Sequence, residues 1–210
     1  MIEQNAATAN GTVGVRWFRA ALERTRQCFD ELADDARCAE LLDVARRVTD
    51  RMVAGGVVYW CGNGGSASDA QHLAAELVGR FGRPGRGWPS VALSADSSVL
   101  TAAGNDFGFE SVFARQVEAL VRPEDVVVGI STSGESRNVL AAIAEARRKG
   151  ALTIALTGPG GGPLAGAAEH TIRVPAEGTS DIQTCHIAIG QLLCEAMIAL
   201  AEARGQHNHA

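Results

Sequence analysis

A chain of 210 residues, 46% hydrophobic and 20% charged, suits one α/β domain with a terminal extension and is short for two. Its net charge of -5, with the basic residues scattered rather than clustered, argues against a phosphate-backbone surface and hence against a nucleic-acid partner. No uninterrupted apolar run approaches the ~20 residues that cross a bilayer, and MIEQNAATANGTVG has neither a basic nor an apolar leader segment, so no membrane is expected and the chain is placed in the cytoplasm.

In chain order, residues 1–15 are polar, small and aperiodic, and read as a loose N-terminal arm. Phe18, Leu22, Phe29 and Leu32, then Leu41, Leu42, Ala45, Val48 and Met52, recur at helical spacing and predict two amphipathic helices, the second stopped by Gly55-Gly56. A helical pair with so long an apolar face is expected to pack on a partner subunit.

Short apolar runs then alternate with Ala-rich helical stretches: VVYWC (57–61), SVALS (90–94), VVVGI (126–130), LTIALT (152–157) and TIRV (171–174). Continuous apolarity means strands covered on both faces, which predicts a parallel sheet of about five strands inside a three-layer α/β/α sandwich, preceded by the helical pair. One domain is expected over 16–204, its last helix over 181–204, followed by a polar tail at 205–210 with solvated histidines. The five cysteines, Cys28, Cys38, Cys61, Cys185 and Cys194, are odd in number and lack a CxxC pair, so buried free thiols are expected.

Two Gly/Ser loops carry the chemistry. Gly62-Asn63-Gly64-Gly65-Ser66 follows a strand and opens a helix, so its backbone N–H groups and the helix dipole can hold an anion, although a tight turn without ligand has the same composition. Gly62, Gly64 and Ala67 also match a loose dinucleotide pattern, but that reading wants an acidic residue ending the second strand, and Asp96 follows only after a polar break. Ser131-Thr132-Ser133-Gly134-Glu135-Ser136 again follows a strand and opens a helix; its hydroxyls form a neutral phosphate cradle or merely cap the helix. Neither loop holds a Walker-type Lys, so the pair suggests one small phosphorylated ligand rather than a nucleoside triphosphate.

Three further groups have two readings each. Asn105 and Asp106, flanked by Gly104 and Gly108, suit sugar hydroxyls or a turn. His72 and Glu76, at i and i+4, share a helix face as metal donors, as a base with its neighbour, or as a plain half-buried pair. On the last helix Gln191 lies about 80° from Gln183 on one side and His186 about 60° on the other, so the three cannot point to one place.

The blocks CGNGGSASDAQHLAAELVGRF, GNDFGFE, GISTSGESRNVL, LTG-x-x-GG at 156–162 and the IQ of the last helix together resemble the phosphoheptose isomerases, which carry a SIS (sugar isomerase) domain. The resemblance implies a homotetramer interconverting D-sedoheptulose 7-phosphate and D-glycero-D-manno-heptose 7-phosphate. It places the substrate on Asn63, Gly64, Gly65, Ser66, Glu76, Asn105, Asp106, Ser131, Thr132, Ser133, Ser136 and Gln183, with Glu76 and, at the second catalytic position, Gln191 as the catalytic residues. It implies zinc on His72, Glu76 and Gln183, weakened here because Gln191 stands where the family has a histidine that serves as ligand and second acid/base. Asp181 also replaces a usual Arg. The same resemblance admits a non-catalytic phosphosugar- or protein-binding SIS module and an isomerase of another phosphosugar; retention of Glu76 favours an enzyme.

Overall fold

The structure is a computed structural model that describes residues 13–79 and 85–207. Of the expected arm, residues 1–12 lie outside the described residues, and Val15 already begins the first helix. Of the expected tail, the backbone of 205–207 continues the last helix and 208–210 lie outside.

The helical pair is α1 (Val15–Leu32) and α2 (Asp35–Val53). Asp34 separates them and caps α2, its carboxylate accepting from the N–H groups of Ala36 and Arg37. One side of α2 is core: Val44, Ala45, Val48 and Met52 are buried. α1 is tied down at its C-terminal end by Cys28 and Leu32, whereas Val15, Phe18 and Leu22 are exposed.

The strands are β1 (Val58–Gly62), β2 (Ser90–Ala92), β3 (Val126–Ser131), β4 (Leu152–Thr157) and β5 (His170–Arg173). Every pairing is parallel and the order is β2-β1-β3-β4-β5. β1, β3 and β4 are buried at every position, as their unbroken apolar runs require, whereas β2 is a short edge strand. Helices α3 (Gly65–Val78), α4 (Ser97–Phe107), α5 (Ala114–Leu120), α6 (Arg137–Arg148), α7 (Gly162–Ala167) and α8 (Thr179–His207) complete the domain. Two apolar clusters, one on each face, make the three layers: α2, α3 and α8 cover one face, α5, α6 and α7 the other.

Over Thr179–Arg204, α8 is long and apolar enough to cross a bilayer by length and composition, which no uninterrupted run in the sequence suggested. In the fold Ile182, Cys185, Ile189, Leu193 and Met197 of this helix are instead core residues of the first cluster.

Candidate active site

The strand order reverses between β1 and β3, so the chain leaves their carboxyl ends toward opposite faces and opens a crevice there. Both Gly/Ser loops sit at that crevice, because Gly62 ends β1 beside Ile130 and Ser131 ends β3. The helices they open, α3 and α6, direct their N-terminal N–H groups to the same end of the sheet.

In the first loop the cap position is Gly64, with φ 55° and ψ -121°, a conformation closed to residues with a side chain. Asn63 does not face outward alone. Its Nδ2 donates to Oδ1 of Asn138 and its Oδ1 accepts from Nδ2 of Asn138, each at 2.8 Å. Asn138 is 3% exposed on the first turn of α6, so this reciprocal pair clamps the first loop to the helix of the second.

In the second loop the hydroxyls turn toward one another rather than capping α6. Ser136, at the cap position, makes no side-chain cap; its Oγ lies 3.0 Å from Oγ of Ser131, which in turn lies 3.5 Å from Oγ of Ser133. The N–H groups of Gly134 and Glu135 donate to Ser131 and Ser133. The Thr132 carbonyl accepts from Gly158, tying the loop to the end of β4. The result is a ring of hydroxyls over a helix N-terminus, suited to a phosphate monoester without a cationic side chain.

The other wall comes from α3 and α8. Gln183 lies against Gly65, where a Cβ would overlap its amide, and Gln183 hydrogen-bonds Asp69 one turn later. Further along, Gly190 lets α8 approach Leu73, and Gln191 meets His72. Contacts that advance together on both helices make them parallel neighbours. Gln183 and Gln191 therefore serve different stretches of α3, as their separation around the helix predicts.

Nε2 of His72 is 3.1 Å from Oε1 of Glu76 and 3.0 Å from Nε2 of Gln191. The ring proton decides between them: on Nε2 it is donated to Glu76, and without it that nitrogen accepts from Gln191. Glu76 is half-buried and His72 exposed, so the carboxylate is reachable. His186 is fully buried, and burial holds it below the ordinary imidazole range although the Thr157 backbone pulls the other way. It cannot stand in for the histidine replaced by Gln191. Burial likewise pushes the Cys61 thiol up to about 12, which leaves it an inert core group.

Against zinc, the donor set is half complete. In a tetrahedral ion with ~2.0–2.2 Å bonds, neighbouring donors stand roughly 3.3 Å apart, and the 3.1 Å between His72 and Glu76 fits such an edge. Among the described residues no group of three or more His, Cys, Asp or Glu converges, so the remaining donors are the amides of Gln191 and Gln183. Gln183 lies against Gly65 and Asp69, on the stripe of α3 that also carries His72 and Glu76.

Asn105 and Asp106 form the last turn of α4, and the turn follows at Gly108 with φ 83°. Both are exposed, and Asn105 donates to Asp106 at 2.8 Å. Their segment reaches the second loop through Glu110, which pairs with Arg137 at 2.8 Å.

The sequence pattern of the SIS domain family matches residues 16–158. A phosphoheptose isomerase from Akkermansia muciniphila is 53% identical over 156 residues, 74% of this chain and 82% of that protein. The chain belongs to the phosphoheptose isomerase family of SIS-domain proteins. Another member, from Aquifex aeolicus, is 48% identical over 180 residues, covering 83% of this chain and 94% of its own. The solved phosphoheptose isomerase of Francisella tularensis superposes with a TM-score of 0.83 at 34% identity, over 89% of this chain and 98% of that one. That of Neisseria gonorrhoeae gives 0.77 at 37% identity, over 87% and 95%.

Within this family fold, two site residues escape a reading of the sequence. Asn138 looks like an ordinary first-turn residue until its partner is known. Asp69 carries a signal in retrospect: Gly65, Asp69, His72 and Glu76 fall at i, i+4, i+7 and i+11, one stripe of α3.

Proposed function

We propose that the protein interconverts D-sedoheptulose 7-phosphate and D-glycero-D-manno-heptose 7-phosphate as a cytoplasmic homotetramer. The observation that carries this reading is the carboxylate of Glu76, set beside His72 on the helix whose N-terminus forms half of the phosphate crevice. The hydroxyls of Ser131, Ser133 and Ser136 and the helix N-termini hold the phosphate. Glu76 takes a proton from C1 of the ketose to form the enediol and returns it to C2, while the hydroxyl proton leaves O1 and O2 gains one. The amide N–H groups of Gln191 are the available donors for negative charge that develops on the reacting oxygen.

If zinc binds, His72 and Glu76 would hold it, with amide oxygens of Gln183 and Gln191 completing the set, and it would polarise the substrate carbonyl. One amide, that of Gln191, in place of a second imidazole makes that binding weak. The tetramer is supported by the exposed Val15, Phe18 and Leu22 of α1.

Glu76→Gln tests the reading. Turnover of sedoheptulose 7-phosphate should vanish while the phosphosugar still binds; a fully active variant would end the proposal. An isomerase of another phosphosugar is the second reading, favoured by one observation. Asp181, where the family usually has Arg, is occupied by α1, accepting from Thr25 at 3.1 Å and from Arg24 at 3.5 Å. Assay against a panel of phosphorylated ketoses separates the two.

A further inference from the structure

Asp69 is 6% exposed, and Gln183 hydrogen-bonds its carboxylate, yet Oδ2 has no partner. Buried polar atoms are rarely left so, and those that are call for a reason outside the packing of the core. The carboxylate sits on the stripe of α3 that also carries Gly65, His72 and Glu76.

Gln183 needs such a neighbour. Its amide has a donating and an accepting end of nearly the same shape, which a half-turn about the last bond exchanges. Gly65 does not distinguish them, because a Cβ there would overlap Nε2, Oε1 and Cδ alike. The floor beneath the amide is therefore flat and neutral as to its direction. A carboxylate only accepts, so it takes the Nε2 end.

On the basis of the heptose-phosphate reading above, we infer that Asp69 is a positioning residue for Gln183: it binds Nε2 of the amide and thereby fixes Oε1 as the end presented to the ligand. Oδ2 is left beside it as a second acceptor. Oε1 of the partly buried Gln183 can accept from a hydroxyl of a polyol chain, and a ligand lacking that hydroxyl would leave the oxygen unpaired.

The inference predicts a polarity swap. In Q183E two carboxylates face each other, and kcat on sedoheptulose 7-phosphate should fall about a hundredfold or more through misplacement of the site. In Q183E/D69N the new amide donates to the new carboxylate, whose other oxygen still accepts outward, so kcat should recover at least about tenfold over Q183E. A group that merely fills space would give no such rescue. Equal activity of Q183E and Q183E/D69N, with an active wild type and unchanged melting, overturns the role of Asp69. Should the double variant melt early, D69N and D69L decide instead. D69N, which can still turn an oxygen to Gln183, should stay within about tenfold of wild type, and D69L should lose about a hundredfold; equal losses overturn the inference. A wild type that leaves sedoheptulose 7-phosphate unchanged overturns the function rather than the positioning.

Discussion

Asn63 and Asn138 exchange two hydrogen bonds of 2.8 Å through their side-chain amides, joining the loop after β1 to the helix after β3. Each amide satisfies the other, so neither loop depends on a ligand for its position. The crevice proposed to hold the phosphate is in this sense built before substrate arrives, and the ordering cost of binding falls accordingly.

Asn138→Ala removes both bonds and leaves the Asn63 amide without its partner beside the crevice. Loss of such a pair costs ~1–3 kcal/mol, which for a domain of this size lowers Tm by roughly 2–10 °C. Affinity for sedoheptulose 7-phosphate should fall with it, because the loops then order on binding. Calorimetric melting and titration check both; a variant with wild-type affinity would show that the clamp only stabilises the fold.

Gln191→His supplies a group that can carry a proton near neutral pH beside His72 and a third strong donor for a metal. Both zinc content after dialysis and kcat should rise, the rate by ~10²- to 10⁴-fold if the second acid/base is what the natural site lacks. Elemental analysis and the isomerase assay separate the two effects. Removing metal from the natural protein with a chelator should change its rate little, since the amide of Gln191 is a weaker zinc donor than the imidazole it replaces.

His186 gives a pH dependence of stability with a definite sign. Burial depresses its value in the fold, whereas the unfolded chain titrates near ~6.5. Below that pH the unfolded state binds a proton that the folded state refuses, so stability is lost as pH falls from ~6.5 toward the folded value and is unaffected above. His186→Leu should flatten the fall in Tm between pH 7 and 5 relative to wild type. Parallel profiles would mean that the buried ring titrates no differently from a free one.

The fold was legible because its signals are local. Val126–Ser131 and Leu152–Thr157 are strands covered on both sides, and unbroken apolarity says so within six residues. Loops that follow such strands and open helices are equally local, and a parallel sheet places them at one end whatever the rest of the chain does. The expected β2 over 90–94 is cut to three residues because it is an edge strand with a single neighbour.

Helical spacing likewise put His72 and Glu76 on one face of α3, and it kept Gln183, His186 and Gln191 apart on α8. What spacing cannot supply is the rotation and register of one helix against another. Residues 79–178 separate α3 from α8, and only their packing, with Gly65 and Gly190 as the points of close approach, decides that Gln183 meets Asp69 and Gln191 meets His72. By itself the sequence determined the sheet, the two loops and the carboxylate on α3. The tertiary structure alone decided which amide faces which acid, because that depends on side chains brought together by burial rather than by position in the chain.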